Sequence, residues 1–498
     1  MSKLVRVLIF LGAVLLVLAV MALLGVRSSS RGTLNRYKAE LQASGEKLTF
    51  AELTRGRQTN AFDSHAVITN AAATLKSARL IPGVLEWQKY VGPGRATVLW
   101  RQAAPSWQPS AGSGTVGTWE EIDSQMQAAQ GRLREVREGL KDPALDAGPY
   151  TNMLMSRRIN FVAIRTVAQW LAGAVGNDLR QGRLEEGLQN LEALAGLARM
   201  ERDEYTLVAQ MIRVAVAGLG LSVTWEALQA PGWTEPQLER LQHAWEPVDL
   251  VDGLEKGFLG ERASGQEVFA MLRRSSGPQF GRWLRLVTKG SSSSSGASFE
   301  DVMIDCVYFP AYKLTCMDED ELLYLRFMHD SLELARWPRT RRPWAPAKQE
   351  AAKVSARINQ ALGSPTGFRY AVSRMAIPNF VRAYETAVRT EGQRQLTLAA
   401  IALKRYQLRQ GKWPASLEAL VPEFVTAVPY DYMSAQPLRY RLKDDGSYVL
   451  YSVGEDGKDD GGDPTPPSGK ASGLWEGRDA VWPSPATEPA EPLPQRRP

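Results

Sequence analysis

Apolar residues recur along most of the chain at intervals of three and four, the spacing that places them on one face of a helix. The clearest run follows Thr118 and Glu121, which have the spacing of a capping box at a helix start. The apolar positions of this run are Trp119, Ile122, Met126, Ala129, Leu133, Val136 and Leu140. The pattern predicts a long helix with one seam packed along a partner helix.

The same periodicity predicts a mainly α fold for the body of the chain, residues 31–375. Residues 156–229 are almost wholly helical in pattern, and further helices begin near Thr234 and Asp318. The segment Val214–Val223 has no charged side chain but is too short to cross a bilayer, so it is interpreted as a buried core helix. A long helix is expected from Asn379 towards Arg409.

Residues 82–117 break this pattern, because they are rich in glycine, proline, serine and tryptophan. One interpretation is a surface loop held in place by its tryptophans. The other is a carbohydrate-binding surface in which sugars stack on Trp87, Trp100 or Trp107. Both remain open, since loops of this length in compact domains are often functional.

The N-terminal segment predicts membrane attachment. Val7–Val26 contains no charged residue and is long enough to cross a bilayer as a helix. A cleaved signal peptide is the alternative. Because the apolar run continues past the best cleavage position at Ala22, residues 1–30 are predicted to be an uncleaved signal anchor. The expected location is the inner (cytoplasmic) membrane, with a single pass and a periplasmic body.

The charge balance and the few cysteines and histidines exclude some classes of function. The net charge is +6, from 60 basic and 54 acidic residues, without a long basic block. This mixed surface argues against a nucleic-acid partner. Cys306 and Cys316 could pair in an oxidising compartment or be two buried thiols. The three histidines are not at zinc-ligand spacing.

The densest local pattern lies in residues 406–463. Gly411 and Pro414 end the long helix. The alternating Leu438, Tyr440 and Leu442 predict a strand, and Asp444-Asp445-Gly446 predicts a turn before a second strand at 448–453. This is the pattern of a β-hairpin.

These residues resemble the C-terminal domain of the major pseudopilin of type II secretion systems. The matching positions are Tyr406, Gly411, Trp413, Pro414, Leu417, Leu420, Pro429, Asp431, Pro437, Tyr440, residues 451–454, Asp456 and Gly457. The resemblance implies a long helix packed on a small sheet, and a calcium ion in the C-terminal loop. It defines a pseudopilin-like module at 376–463, followed by a Pro-rich tail at 464–498 that is expected to be disordered.

The chain departs from that family at its N-terminus, where the prepilin-peptidase signature is missing and the apolar segment lies far from the module. As a whole, the chain is similar to large membrane-anchored bacterial proteins of unknown function. That likeness implies no activity.

The turn after the hairpin is a candidate calcium site in its own right. Its carboxylates are Glu455, Asp456, Asp459, Asp460 and Asp463, interspersed with glycines. Calcium takes six to eight oxygen ligands from a bendable loop. Asp456, Asp459 and Asp463 are the expected ligands, and a solvated acidic turn without metal is the alternative.

No HExxH, GxSxG or P-loop pattern occurs in the sequence. The sequence therefore predicts a non-enzymatic, membrane-anchored envelope protein that contacts other envelope proteins, and the resemblance suggests a secretion or pilus-like assembly as its context. A carbohydrate-active hydrolase, with a carboxylate pair such as Asp301 and Asp305, and a glycan-binding protein are the alternatives.

Overall fold

The computed structural model describes residues 28–55, 64–75, 85–105, 118–145, 160–289, 302–377, 381–467 and 473–486. Val7–Val26 of the predicted anchor, Trp107 and Asp301 lie outside these residues. In chain order the helices are 28–43 (α1), Phe50–Leu53 (α2), Ser64–Leu75 (α3), Trp119–Gly139 (α4), Phe161–Arg180 (α5), Leu184–Arg199 (α6), Leu207–Leu228 (α7), Glu235–Trp245 (α8), Leu250–Arg274 (α9), Gly277–Lys289 (α10), 302–315 (α11), Met317–Arg336 (α12), Trp344–Gly363 (α13), Ala371–Ala376 (α14) and Val381–Gln410 (α15).

The strands are short and form small sheets. They are Tyr90–Gly92 (β1), Arg95–Ala96 (β2), Tyr430–Asp431 (β3), Gln436–Pro437 (β4), Arg439–Leu442 (β5), Tyr448–Ser452 (β6), Ala480–Val481 (β7) and Ser484–Pro485 (β8). Their orders are β1-β2-β8, β3-β4 and β5-β6-β7. The prediction of a mainly α chain is confirmed.

The chain divides into two compact units. Unit 1 contains residues 1–57, 258–333 and 351–381, and unit 2 contains residues 58–257, 334–350 and 382–498. The body predicted at 31–375 is thus shared between the units, and the predicted module at 376–463 falls almost wholly in unit 2.

Unit 2 has a helical core built around α5, α6 and α7. Helices approach closely where one of them carries a glycine. Gly220 of α7, which has no side chain, lies against the ring of the buried Trp245. Within the part of the chain that is described, α7 is the one helix long and apolar enough to cross a bilayer, and most of it is buried.

The predicted start of α4 is confirmed at atomic detail. Thr118 Oγ1 accepts the backbone N–H of Glu121 at 3.3 Å, and Glu121 Oε2 accepts that of Thr118 at 2.9 Å. These reciprocal bonds satisfy two donors that a helix start leaves open. The predicted apolar seam of α4 is buried along its length.

The predicted hairpin is also confirmed, with Tyr440 paired to Leu450 and Leu442 paired to Tyr448. The structure differs from the expected disordered tail at residues 473–486. Tyr451 and Ser452 of β6 pair with Val481 and Ala480, and β8 runs parallel to β2. The segment is held by two contacts despite its proline content. It pairs with the open edge of β6, and its Pro483 carbonyl accepts the indole N–H of Trp225 at 2.9 Å.

Unit 1 is helical in its described residues. Phe280 of α10 stacks on Phe309 of α11 with ring centroids 4.3 Å apart. The buried carboxylate of Asp320 accepts the backbone N–H groups of Val372 and Ser373 at 2.9 and 3.1 Å, at the start of α14. Tyr312 donates its hydroxyl to the same carboxylate at 2.7 Å, so α11, α12 and α14 meet at one buried acid.

Candidate functional site

The acidic loop of unit 2 is closed around Asp479, a side chain with no exposed surface. The Asp479 carboxylate accepts the backbone N–H groups of Gly462 at 2.7 Å, Asp463 at 3.1 Å and Asp460 at 3.4 Å. The pKa of Asp479 is raised, because the effect of burial is larger than the opposing effect of these hydrogen bonds. The residue that organises the loop therefore lies in the segment expected to be disordered. The β-forming residues Val481 and Trp482 were the available signal in the sequence.

Each predicted calcium ligand has hydrogen bonds of its own. Asp459 accepts from Tyr451 Oη at 2.9 Å and Arg439 Nε at 3.1 Å. Asp456 accepts the backbone N–H of Lys458 at 3.0 Å, and Asp463 accepts that of Thr465 at 2.9 Å. Among the described residues, these three carboxylates do not form a group with ligand atoms within 4.8 Å of one another. In this arrangement the three side chains do not by themselves form a group of metal ligands.

The metal-compatible group that the described residues do form lies in unit 1. Ligand atoms of Glu46, His329 and Glu333 are within 4.8 Å of one another. His329 and Glu333 are one turn apart on α12, and Arg262 donates to Glu46 Oε2 at 2.6 Å. An imidazole with two carboxylates suits zinc better than calcium. The Arg262 guanidinium already neutralises one of the carboxylates.

Of the carboxylate pair considered for catalysis, Asp305 is among the described residues. Asp305 packs against Gly281 of α10, where an added Cβ would overlap its carboxylate. Asp318, Glu319 and Asp320 occupy the first turn of α12, where negative charge is favourable. This confirms the interpretation of 318–321 as a helix start.

Both cysteines are free. Cys306 is exposed and Cys316 is buried. The alternative of two buried thiols therefore holds for Cys316 and is wrong for Cys306.

The tryptophan-rich region of unit 2 is tied to α7 by a buried acid. Glu226 has no exposed surface, and its carboxylate accepts the backbone N–H groups of Gln88 at 3.0 Å and Leu99 at 2.8 Å. Burial raises the pKa of Glu226 to about 8, against these donors, which lower it. Trp100 donates its indole N–H to the Glu226 carbonyl at 3.1 Å. Trp87 lies against Gly176.

A cavity of about 340 Å³ lies in unit 2 beside the hairpin. Its walls include Trp413, Tyr448 and Trp482, with Lys404 as the cation. Lys404 donates to the carbonyls of Leu228 and Ala230 at the end of α7, and burial lowers its pKa to about 8. Aromatic walls with a charged group among them are a lining that suits a small polar molecule.

An apolar stripe lies on the surface of unit 1. Met303, Val307 and Leu314 of α11 are 42%, 53% and 52% exposed. Their spacings of four and seven residues follow one side of the helix. Tyr308 donates its hydroxyl to the carbonyl of Phe368 at 2.8 Å, and Phe368 is 60% exposed. We name Met303, Val307, Leu314 and Phe368 the α11 stripe.

The sequence does not predict the α11 stripe, because residues 302–315 are apolar on both sides of the helix and their pattern does not show which side is buried. Phe309 and Tyr312 fill the core side. Comparison of the chain with protein-family models, curated proteins and solved structures finds no match.

Proposed function

We propose that this chain is a membrane-anchored envelope protein that binds other proteins and does not catalyse a reaction, with the α11 stripe as its contact surface. The apolar run at Val7–Val26 supports attachment to the inner membrane. The observation that carries the binding role is the exposure of Met303, Val307, Leu314 and Phe368 on unit 1. Apolar side chains grouped on a surface mark interaction sites, whereas single ones are ordinary.

The expected partner element is an amphipathic helix of another envelope protein. Side chains spaced by four and seven residues offer a narrow seam, which a second helix can cover with its own apolar side. Association with a secretion or pilus-like assembly is the context that the resemblance of the C-terminal module suggests.

Site-specific photocrosslinking in intact cells tests this proposal. A crosslinking residue at Val307 should give one dominant adduct, and Leu314→Asp on the same chain should remove it. Leu408 of unit 2 is 45% exposed and serves as the matched control position. Equal adducts from positions 307 and 408, or an adduct unaffected by Leu314→Asp, would contradict the proposal.

Glycan binding is the second candidate, and the cavity walled by Trp413, Tyr448 and Trp482 favours it. Aromatic rings can stack on sugar faces. The purified full-length protein should then be retained by cell-wall material, and Trp413→Ala should release it while Trp337→Ala, in a different part of the chain, should not. Absence of retention, or equal loss in both variants, would exclude glycan binding at this cavity.

A further inference from the structure

A second cavity of unit 2 lies among α4, α6 and α8 and has a volume of about 590 Å³. The charged side chains at its walls include Arg137, Glu138 and Lys141 from α4 and the residues that follow it, and Glu192, Arg199 and Arg240 from α6 and α8. Four permanent cations thus face two carboxylates. The walls carry an excess of positive charge.

Two of the cations are neutralised by close partners. Lys141 forms an ion pair with Glu138 at 2.7 Å. Arg240 pairs with Glu192 at 2.9 Å and with Glu185 at 2.7 Å. The excess positive charge therefore belongs to the other two cations, Arg137 and Arg199.

Arg137 has a neutral partner. Its Nη1 donates to Asn190 Oδ1 at 3.0 Å. The amide of Asn190 in turn donates to Asp178 Oδ2 at 2.9 Å, so Asp178 acts on Arg137 through an intervening side chain. Asp178 is also paired with Arg183 at 3.0 Å. Burial lowers the pKa of Arg137, while the charge of Asp178 opposes this shift.

Arg199, like Arg137, has an uncharged hydrogen-bond partner. Its Nη2 donates to the backbone carbonyl of Lys141 at 3.3 Å. Its Nε is buried without a hydrogen-bond partner among the residues that the structure describes. Burial lowers the pKa of Arg199 against the attraction of Asp142. Among the described residues Arg199 has no carboxylate in ion-pair contact, and an anionic ligand in the cavity would supply acceptors that its partly buried guanidinium lacks.

We propose that the cavity lined by Arg137 and Arg199 binds a small organic oxyanion, with a phosphate monoester as the expected class. Guanidinium groups recognise phosphoryl and carboxylate oxygens through paired N–H donors. The volume exceeds what an inorganic ion needs and lies in the range of small-molecule sites. The site is separate from the α11 stripe and does not depend on the protein-binding role.

Calorimetric titration of the full-length protein in detergent and phosphate-free buffer tests the site. The probes are inorganic phosphate, glucose 6-phosphate and citrate. Binding of either phosphate compound would identify a phosphoryl site, and binding of citrate alone would identify a carboxylate site; both support an oxyanion site. Arg199→Gln and Arg137→Gln are each expected to weaken binding about tenfold, because each removes a charge-assisted hydrogen bond.

Arg132→Gln is the matched control, since Arg132 lies on α4, pairs with the exposed Glu135 and does not line the cavity. Thermal unfolding without ligand shows whether each variant is folded, and a folded Arg199→Gln protein alone suffices for the comparison. No binding of any probe by the unmodified protein would overturn the proposal. Equal weakening by Arg132→Gln and Arg199→Gln would also overturn it.

Discussion

The backbone N–H of Gly462 donates to the carboxylate of Asp479 at 2.7 Å, across 17 residues of chain. This bond joins the acidic loop to β7, the strand that extends the hairpin. The loop conformation is therefore decided by a residue outside the loop.

Asp479→Ala should loosen the loop and destabilise unit 2 by about 2–3 kcal/mol, because buried N–H groups lose their acceptor. Hydrogen exchange at Gly462 and Asp463 measures the local effect, and thermal unfolding the global one. Asp479→Asn keeps one carbonyl oxygen and should cost less. Unchanged exchange in the alanine variant would show that Asp479 does not hold the loop.

Calcium binding by the acidic loop stays a prediction, and it requires Asp456, Asp459 and Asp463 to exchange their present hydrogen bonds for the ion. Calcium in the millimolar range should raise the melting temperature of the protein, while magnesium should not, since it demands a stricter octahedral geometry. A combined Asp456→Asn, Asp459→Asn and Asp463→Asn variant should lose the response. An unchanged melting temperature in the parent protein would contradict calcium binding and favour the alternative of a solvated acidic turn without metal.

Glu226→Gln should destabilise unit 2 by about 1–3 kcal/mol. Glutamine offers one acceptor oxygen where Gln88 and Leu99 each donate an N–H, so one donor would face an amide group. Glu135→Gln is the control, because that side chain is 59% exposed and should change stability by no more than about 0.5 kcal/mol. Urea unfolding followed by tryptophan fluorescence measures both. Equal effects would mean that Glu226 is not the anchor of the tryptophan-rich region.

Alanine substitutions at two glycines of α7 should change the free energy of unfolding in opposite directions. A Cβ at Gly220 would lie 2.6 Å from the ring of Trp245, so Gly220→Ala is expected to cost about 1–3 kcal/mol. At Gly218 the nearest atom would be 3.8 Å away, and Gly218→Ala should stabilise by up to about 1 kcal/mol through helix propensity. Thermal unfolding of the two variants compares them directly. A neutral Gly220→Ala would show that Trp245 has room to move.

Acid should weaken the interaction of Glu455 with α13 and α15. Burial raises the pKa of Glu455, but hydrogen bonds from Arg389 at 2.5 Å and Lys348 at 2.8 Å outweigh it, and the pKa is lowered. As the pH falls, the unfolded state therefore takes up a proton at Glu455 before the folded state does. The stabilisation is present above about pH 4.5 and is lost below it. Glu455→Gln should cost about 1 kcal/mol at neutral pH. The difference from the parent protein should shrink on acidification, and a constant difference in pH-dependent unfolding would contradict this assignment.

The sequence by itself determined the local elements. The capping box at Thr118, the apolar seam of α4 and the turn at Gly446 depend on neighbours a few residues apart, and their chemistry is readable in order along the chain. The mainly α class follows from the same short-range spacing.

Only the tertiary structure decided which distant residues meet. The pairing of β7 with β6 joins a proline-rich segment to the hairpin, and no local pattern records the open strand edge that receives it. Glu226 and Asp479 are ordinary acids in the sequence, and they become anchors because folding surrounds them with backbone N–H groups. Arg137 and Arg199 are 62 residues apart in number, and only the packing of α4 against α6 places both guanidiniums at one cavity. Long-range contacts and solvent exclusion set these sites, and neither is encoded within one element.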